Sequence, residues 1–600
     1  MCYLEKIFIT AFLVMALVFP NVNANAQKSP VSNSLLGKVI CGYQGWFNCY
    51  GDDSPVNSWR HWAGGGKNSE SKLPGAGYLT FEAYPDISEY KKESLFQTGF
   101  EHLGSGQAAQ LFSSNKSDVV DLHFSWMKQY GIDGVALQRF LGETKSIRYR
   151  VQRDSVTLKC MHSAEKYGRI VYLMYDMSAQ DTSFFQNDVL HIEKDLGIFQ
   201  SPNYVHQDGK PVICLWGFGF THRAKEPEKS LALINWLKAK GFYVIGGVPT
   251  NWLSGTIDSY DNYLQVYRSF DMISPWSVGR FKTNEEANRF KLKYLKPDQE
   301  YCAANKIAYQ PVVFPGFAWS NWNGGVQNHI SRNKGDFLWR QVYNIKSLGI
   351  SNLYVAMFDE YDEGTAIAKI ADSYFSVPTN QYFLTSSTDG SYVSSDFYLR
   401  LVGKATQTMK DEVPLNEAHG VSLQSAPIWF RTSFESGYDA MPVSRSTTDI
   451  NMESKIVCKI SNLKAASGKS SLQVSALNLA TSGKLNKSVD IFDVDIPITA
   501  TTQLIYKVLS EDSMGQCAIV ELVLSDGSKF KAPLTSTRLK KNEWNKVEFN
   551  IGQWLKGKTI SQIAVGYKLT SHSAPIITFI DDLSIFDEET GSKTKILTSK

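Results

Sequence analysis

The stretch Leu353-Tyr-Val-Ala-Met-Phe-Asp-Glu-Tyr-Asp-Glu-Gly-Thr365 begins as a short apolar run and ends in four acidic residues, a glycine and a hydroxyl residue. An apolar run of this length predicts a buried strand, with the acids placed where the strand leaves the core. Neighbouring strand residues point to opposite faces, so we expect only one of Asp359 and Glu360 to face a pocket. Glu363 follows Glu360 by three residues, and a helical turn would place both on one face with Cβ atoms roughly 5–6 Å apart.

Two carboxyl groups at that separation beside an apolar wall are expected to have pKa values that are pushed apart. Acid/base chemistry at a glycosidic bond requires this difference. The same residues also fit a solvated acidic turn that caps a following helix, because acids favour helix N-termini. Both interpretations stay open on this stretch alone.

Apolar runs that end in glycine, asparagine, aspartate or aromatic residues alternate with amphipathic helical patterns along much of the chain. The runs are Val39–Phe47, Ile132–Phe140, Ile170–Met177, Val212–Phe218, Tyr243–Val248, Met272–Val278, Ala308–Phe314 and Leu353–Phe358. Gly131, Gly241 and Gly349 follow helical patterns and predict left-handed C-caps. The alternation predicts an α/β fold, a (β/α)8 TIM barrel, with a doubly wound open sheet as the alternative.

Changes in the residue pattern along the sequence predict two domains that follow an export signal. Residues 1–26 fit a signal peptide cleaved near Ala26, so we expect an exported protein, periplasmic or secreted. Residues 36–411 hold the strand–helix alternation and are the expected catalytic barrel. Residues 412–427 fit a linker. Residues 428–590 alternate apolar and polar residues between Ser, Thr and Gly turns, which predicts an all-β sandwich.

Composition narrows the range of partners. The net charge of +3 argues against nucleic acid or an anionic membrane as the main partner. No stretch after the signal is long and apolar enough to predict a membrane span. Aromatic residues make up 13% of the chain, with 14 Trp and 29 Tyr, which suits a carbohydrate cleft as well as ordinary cores. We expect a monomer that acts on a carbohydrate.

Residues suited to sugar binding follow the predicted strands, at the barrel end where active sites lie. The candidate substrate-binding residues are Tyr43, Trp46, His61, Gln138, Arg139, Tyr175, Asp176, Trp216, Trp252, Trp276, Arg280, Trp319 and Asn321. Trp59, Trp62 and Trp322 follow the same runs. Any single Trp is more often core than ligand platform. Arg139 also fits an ion pair with one of the eighth-strand acids, which would depress the pKa of that acid and mark it as a base.

Histidine, aspartate and glutamate do not cluster at metal-ligand spacing in the predicted barrel. We therefore expect no catalytic metal and no cofactor for catalysis.

Several motifs together resemble the glycoside hydrolase family 71/99-like proteins, over roughly Leu36 to Asp411. The motifs are Gly42-Tyr-Gln-Gly-Trp-Phe47, Gly131-Ile-Asp-Gly134, Gln138-Arg-Phe140, Ser274-Pro-Trp-Ser-Val-Gly-Arg280, Pro315-Gly-Phe317 and Asp359-Glu-Tyr-Asp-Glu-Gly-Thr365. Secreted bacterial members of this group are often labelled as xylosidases or arabinosidases. The related family 99 endo-α-mannosidases carry a Glu-x-x-Glu-Gly-Thr motif, which Glu360, Glu363, Gly364 and Thr365 match.

The resemblance implies a retaining glycoside hydrolase without an enzyme nucleophile. Glu360 would remove the proton from the sugar 2-hydroxyl, which attacks the anomeric carbon to form a 1,2-anhydro sugar. Glu363 would protonate the leaving group and later activate water. Tyr361-Asp362 stands where the mannosidases typically have Trp-His, so the resemblance implies neither mannose as the sugar nor endo action for this chain.

The C-terminal region resembles jelly-roll carbohydrate-binding modules at Phe434-Glu435, Ser467-Gly-Lys-Ser-Ser-Leu472 and Ile580-Asp-Asp-Leu583. The resemblance implies a structural Ca²⁺ at Glu435 and Asp582, with ordinary solvated acids as the alternative.

Three other hypotheses for the function stay open. The chain could be an exo-acting xylosidase or arabinosidase with conventional carboxylates that include Asp176. It could be a non-catalytic glycan-binding protein on a barrel scaffold. It could also be a hydrolase in which Glu360 and Glu363 exchange roles.

Overall fold

The computed structural model describes residues 33–64, 72–177, 181–425, 428–442, 446–447, 455–477, 485–511, 518–531, 539–569 and 575–587. The expected signal peptide, residues 1–26, lies outside these ranges. Within them, no helix combines the length and apolar character needed to cross a membrane.

A parallel sheet with helices around it forms the first unit, in a TIM-barrel-like arrangement. Its strands are β1 (Val39–Tyr43), β2 (Gly134–Phe140), β3 (Ile170–Asp176), β4 (Lys210–Trp216), β5 (Tyr243–Val248), β6 (Met272–Pro275), β7 (Ala308–Tyr309 and Val312–Val313) and β8 (Leu353–Val355). Each of the eight predicted runs overlaps one of these strands. Strand β3 is buried along its whole length, as expected for a parallel strand covered on both faces.

Pairing within this sheet follows chain order. Each strand from β1 to β7 pairs in parallel with the next. The first segment of β7 pairs with β6, its second segment pairs with β8, and β8 pairs with β1. A doubly wound sheet would instead reverse its strand order at a switch point. All the parallel strands therefore point their carboxyl ends to one side of the sheet.

Helices pack around the sheet. They are α1 (Ser117–Tyr130), α2 (Ile147–Tyr167), α3 (Thr182–His191), α4 (Pro227–Ala239), α5 (Asn284–Phe290), α6 (Lys296–Ala304), α7 (Asp336–Lys346) and α8 (Phe397–Met409). Short helical turns lie at Lys92–Ser94, Leu141–Thr144, Ile192–Leu196, Ile198–Gln200, Leu264–Tyr267, Lys291–Leu295, Ser320–Asn323, Asn333–Gly335, Tyr374–Ser376 and Gly552–Leu555. Gly131, Gly241 and Gly349 have φ of 77°, 88° and 75°, so the predicted left-handed caps are confirmed.

The first and last strands approach each other closely where they leave the sheet. A Cβ atom at Gly42 would lie 2.1 Å from the Met357 methyl carbon and 2.3 Å from the Tyr354 hydroxyl. Only glycine fits this position in β1, since its neighbours come from β8 and the segment after it. The long loop after β1 also contributes a small antiparallel pair, Leu95–Gln97 with Gln110–Phe112.

Two antiparallel sheets form the second unit. Their strands are β9 (Ile428–Thr432), β10 (Ser446–Thr447), β11 (Lys455–Ser461), β12 (Ser471–Leu477), β13 (Leu485–Pro497), β14 (Thr502–Ser510), β15 (Ala518–Leu524), β16 (Lys529–Lys531), β17 (Asn545–Asn550), β18 (Thr559–Leu569) and β19 (Ile576–Asp587). One sheet has the order β10-β11-β12-β19-β14-β17, with β9 also paired to β19, and the other has the order β13-β18-β15-β16. Their facing side chains, such as Leu472, Val474, Leu504 and Val565, form a separate hydrophobic core.

The two units meet where the segment between β8 and α8 contacts the turn after β9. The backbone N–H of Tyr374 donates to Asp439 Oδ1 at 2.8 Å, and Thr385 Oγ1 donates to the carbonyl of Tyr438 at 2.6 Å. Part of the expected linker packs on the first unit, since Trp339 Nε1 donates to the carbonyl of Asn416 at 3.0 Å.

We expect a chain that ends at Gln424 to keep the parallel sheet and its helices, because the second unit has its own core. It would lose the few hydrogen bonds at the junction, each worth about 0.5–1.5 kcal/mol of net stability. Far-UV circular dichroism and thermal denaturation against the full chain would measure this. Aggregation of the shortened chain, with the full chain soluble, would contradict two separable cores.

Candidate active site

The carboxyl ends of the parallel strands surround a cavity with two lobes that share Trp46, Glu360 and Glu363. The larger lobe has a volume of about 300 Å³ and is also lined by Arg60, His61, Ala63, Gly64, Thr80, Trp322 and Asp362. The smaller lobe has a volume of about 160 Å³ and is also lined by Gln44, Gln138, Phe140, Met174, Asp176, Trp216, Trp276, Val278, Ala356, Met357 and Thr365.

A larger cavity of about 720 Å³ lies between the two units, beside Tyr392, Phe430 and Phe492. Glycine, serine and the exposed acids Asp493 and Asp495 contribute to its wall, and none of the candidate catalytic or substrate-binding residues lines it. We place the site at the strand ends, because the acidic turn and the aromatic residues meet there.

The acidic turn after β8 folds back on itself. The backbone N–H groups of Thr365 and Ala366 both donate to the carbonyl of Glu360, at 3.1 and 2.9 Å. Gly364 has a left-handed φ of 61°, which allows this reversal. The turn presents both Glu360 and Glu363 to both lobes of the cavity.

Burial controls the protonation of the two glutamates. Glu360 is 4% exposed, its Oε2 accepts from Gln44 Nε2 at 2.5 Å, and its Oε1 has no hydrogen-bond partner among the described residues. Burial raises the pKa of Glu360 well above its ordinary value, and the charges of Asp362 and Glu363 raise it further. Burial raises the pKa of Glu363 to about 7, and Asp362 adds to this. The pair therefore retains a proton near neutral pH, as acid/base chemistry needs.

Asp359 has a structural position instead. Its two carboxylate oxygens accept the backbone N–H groups of Gln44 at 2.6 Å and Gly45 at 2.9 Å, and its side chain is buried. Asp359 lines neither lobe, so the pocket receives Glu360 while its neighbour faces the exit of β1.

A histidine and an aspartate form one wall of the larger lobe. His61 Nδ1 lies 2.8 Å from Asp362 Oδ2, and the His61 ring stacks on Trp46 with centroids 3.7 Å apart and planes 5° from parallel. Arg60, beside them, forms an ion pair with Glu143 at 2.9 Å. Burial raises the pKa of Asp362, while His61 and Arg60 oppose that rise.

The smaller lobe pairs an acid with an arginine over an aromatic floor. Arg223 Nη1 lies 3.1 Å from Asp176 Oδ1, and its guanidinium lies 4.7 Å from the ring centre of Trp216. Trp276 meets Trp216 edge-on, with centroids 5.5 Å apart. Sequence reasoning missed Arg223, which lies in an irregular loop after β4 without a recognisable motif.

Six of the predicted substrate-binding residues reach the cavity. They are Trp46, His61, Gln138, Asp176, Trp216 and Trp276. Trp322, which also follows the seventh run, lines the larger lobe and is 54% exposed. Arg60 and Thr80 also line this lobe, but no pattern in the long loop after β1 singled them out.

Four of the predicted substrate-binding residues lie buried in the core and line neither lobe. Tyr43 pairs its hydroxyl with His123 Nδ1 at 2.9 Å, Tyr175 donates to Asp188 at 2.9 Å, and Trp252 is buried against Tyr267 and Tyr301. The fourth, Arg139, contacts Asp188 and Asp154. Strand alternation explains two of them, because Gln138 and Asp176 face the cavity and their neighbours Arg139 and Tyr175 point the other way.

Arg139 does not pair with an eighth-strand acid. Its Nε and Nη2 donate to Asp188 at 2.6 and 2.7 Å, and Nη2 also lies 2.9 Å from Asp154. These partners lie on α3 and α2, so Arg139 joins strand β2 to the helices and has no effect on the assignment of a base.

The remaining three candidates lie around the cavity without lining it. Arg280 forms an ion pair with Asp258 at 2.7 Å, and Trp319 packs against Phe317 and Trp322. Asn321 has a structural role, because its backbone N–H donates to Glu82 Oε2 at 2.9 Å and its Nδ2 donates to two backbone carbonyls.

No group of three or more His, Cys, Asp or Glu residues suited to hold a metal ion occurs in the described part of the chain. The Ca²⁺ site at Glu435 and Asp582 stays a prediction. Glu435 Oε1 accepts the N–H groups of Lys469 and Ser470, both at 2.7 Å, and Asp582 forms an ion pair with Lys507 at 2.7 Å.

No protein-family model and no curated protein matches this chain. Among solved structures, it is similar to the GH99 endo-alpha-mannosidase from Bacteroides thetaiotaomicron, with 15% identity, 63% of this chain and 99% of that chain covered, and a TM-score of 0.45. It is similar to the Endo-D glycoside hydrolase domain from Streptococcus pneumoniae R6, with 10% identity, 94% and 81% coverage and a TM-score of 0.28. It is also similar to the C-terminal family 22 carbohydrate binding module of Clostridium thermocellum Xyn10B, with 13% identity, 27% and 95% coverage and a TM-score of 0.18. At these TM-scores the likeness says nothing of what this chain acts on.

Asp359→Ala should lower the free energy of unfolding, because it leaves the buried N–H groups of Gln44 and Gly45 without an acceptor. An orphaned buried donor costs about 1–3 kcal/mol. Asp359→Asn keeps one acceptor oxygen and should lose less. Urea denaturation of both variants against the unchanged chain would measure the order. Equal stability of Asp359→Ala and the unchanged chain would contradict this role.

Proposed function

We propose that this chain is an exported glycoside hydrolase that cleaves glycosidic bonds of a poly- or oligosaccharide. One observation carries the proposal: Glu360 and Glu363, both with pKa values raised by burial, share one cavity with aromatic walls. Aromatic faces bind the apolar faces of sugar rings, and a carboxyl pair with raised pKa values supplies the acid and the base.

The proposed first step uses both glutamates. Glu363 gives its proton to the oxygen of the leaving group as the bond from the anomeric carbon to that oxygen breaks. Glu360 in its ionised form, which its raised pKa makes a strong base, takes the proton of the sugar 2-hydroxyl, and the 2-oxygen forms the new bond to the anomeric carbon. The unpartnered Oε1 of Glu360 suits proton removal, because no other donor of the described residues occupies it.

The proposed second step restores both groups. Ionised Glu363 takes a proton from water, and the water oxygen bonds to the anomeric carbon as the bond to the 2-oxygen breaks. Glu360 returns its proton to the 2-oxygen. Two displacements at one carbon give net retention of configuration.

Other carboxylates suit the role of nucleophile less well. Asp176 is already paired with Arg223, and Asp359 uses both oxygens to accept backbone N–H groups outside the cavity. A purely glycan-binding role fits less well too. The buried Oε1 of Glu360 has no donor among the described residues, which costs stability, and such strained carboxyl groups are more typical of catalytic sites than of sites that only bind.

The proposal extends to the domains, export and oligomeric state of the chain. We propose that the first unit is a (β/α)8 catalytic barrel over residues 36–411. Residues 428–590 would be a jelly-roll carbohydrate-binding domain after a linker at 412–427. Export would follow from residues 1–26. We propose a monomer that needs no catalytic cofactor.

Glu363→Gln should lower activity least on substrates with good leaving groups, because general-acid assistance matters less for them. Glu360→Gln should lower activity on all substrates alike, because proton removal from the 2-hydroxyl is needed whatever leaves. Single acid or base groups typically contribute about 10²–10⁴-fold. Initial rates on aryl glycosides of graded leaving-group pKa would measure both patterns.

Substrates altered at the 2-position provide the control. A 2-deoxy or 2-fluoro substrate should not turn over with the unchanged protein. A 2-fluoro sugar trapped on a carboxylate, detected by mass spectrometry, would show a conventional nucleophile. Near-full activity of Glu360→Gln would contradict its role as the base.

Trp322→Ala should raise KM on oligosaccharides by about 2- to 10-fold, because an aromatic contact is worth about 0.5–1.5 kcal/mol. Leu292→Ala is the control, since Leu292 is also exposed, at 69%, and lies on the first unit but lines neither lobe. Steady-state kinetics on soluble oligosaccharides would compare them. Equal KM values for the two variants would contradict a sugar contact at Trp322.

A further inference from the structure

We propose that Asp362 and His61 form a positioning pair that keeps the Glu363 carboxyl group in its proton-donating form. This inference rests on the proposed function, because it concerns the same acid. It assigns roles to two residues from distant parts of the chain, the loop after β1 and the turn after β8.

Contact geometry holds Asp362 in one place. Its Oδ2 lies 2.8 Å from His61 Nδ1, and the His61 ring cannot turn freely because it stacks on Trp46 at 3.7 Å. The other carboxylate oxygen, Oδ1, is buried and has no hydrogen-bond partner among the described residues. Asp362 and Glu363 both line the larger lobe of the cavity. A fixed carboxylate therefore lies beside the proposed acid and is not free to swing into water.

Charged groups around the pair decide which carboxyl group ionises first. Arg60 and His61 face Asp362, and both lower its pKa against the effect of burial. Neither Arg60 nor His61 is among the groups that shift the pKa of Glu360 or Glu363, and the charge of Asp362 raises the pKa of both glutamates. Asp362 is thus the carboxyl group of the three whose pKa Arg60 and His61 lower. Its negative charge opposes ionisation of Glu363.

Further charged residues surround the His61 ring. Glu143 Oε1 lies 3.9 Å from His61 Nε2 and 2.9 Å from Arg60, and Arg153 lies 2.7 Å from Glu143 Oε2. The His61 ring is therefore between Asp362 and Glu143, with a carboxylate beyond each ring nitrogen. This arrangement fixes the ring orientation that Asp362 depends on.

The consequence for catalysis is that Glu363 keeps its proton up to about pH 7, the value to which its pKa is raised. As the C–O bond to the leaving group breaks, that proton moves to the leaving oxygen, and the new carboxylate on Glu363 is repelled by Asp362. The same repulsion makes Glu363 a ready acceptor for the proton of water in the second step. Asp362 acts through Glu363 and needs no contact with substrate.

Asp362→Asn tests the pair, because it keeps the side-chain shape and removes the charge. Glu363 should then lose its proton more easily, so the alkaline limb of the kcat/KM pH profile should move to lower pH by about one unit. His61→Gln, which keeps a donor toward Asp362 and removes the ring, should move the limb in the same direction by less. Asp53→Asn, a surface carboxylate paired with Lys116, should leave the limb in place.

A readout independent of activity separates this inference from the proposed function. Infrared difference spectra report the C=O stretch of a protonated carboxyl group, and loss of a band in Glu363→Gln assigns it to Glu363. In the unchanged protein this band should titrate at about pH 7, the pKa to which burial raises Glu363. In Asp362→Asn the midpoint pH of this band should fall by about one unit, which corresponds to a decrease of about tenfold in the proton affinity of Glu363.

The band midpoint and the alkaline limb together distinguish failure of the Asp362–His61 pair from failure of the proposed function. A midpoint that falls in Asp362→Asn supports the pair even if no glycoside is hydrolysed, in which case only the proposed function fails. A midpoint and an alkaline limb that both stay in place in Asp362→Asn and in His61→Gln would overturn the pair, whatever the activity. A fall in kcat without movement of the limb would also overturn it, since that pattern indicates a merely structural role.

Discussion

The carboxylate of Asp359, bonded to the backbone N–H groups of Gln44 and Gly45, is the contact on which the site depends. It joins the exit of the last parallel strand to the exit of the first. Both strands reach this point in contact, because Gly42 leaves room for Met357 and Tyr354. With the two exits joined, the Gln44 side chain lies within hydrogen-bond distance of Glu360, and Trp46 lies beside the acidic turn.

From this join the long loop after β1 builds the open side of the cavity. His61 returns from that loop to Asp362, and buried Glu82 accepts from Ser320 Oγ and the backbone N–H of Asn321, next to Trp322. The N–H of Glu82 also donates to the carbonyl of Tyr361 in the acidic turn. The loops after β1 and β7 and the turn after β8 are therefore one hydrogen-bonded assembly, which explains why residues so far apart in sequence share a lobe.

Burial of several carboxyl groups in this small region has an energetic consequence. Desolvation is the first cause of the raised pKa of Asp359, Glu360, Asp362 and Glu363. The groups that compensate for this desolvation differ from one carboxyl group to the next. Asp359 receives two N–H donors, Asp362 receives His61 and Arg60, and Glu360 receives one amide. The carboxyl group of Glu363 receives no hydrogen bond among the described residues, so it is the one most open to a bound ligand.

The sequence by itself determined the succession of strands and helices, because hydrophobic periodicity and glycine caps depend on local residues. It also marked the turn after β8, where Glu360 and Glu363 come three apart and share the cavity. What only the tertiary structure decided was which strand-end side chains face inward. Gln138 and Asp176 line the cavity, whereas Arg139 and Tyr175 bond Asp188 behind the sheet. A shift of one residue in a strand reverses the face of every side chain, and the last residues of a strand lie where its regular pattern ends. Contacts such as His61 with Asp362 and Arg223 with Asp176 join loops whose path is set by packing against other loops, and no local pattern encodes that path.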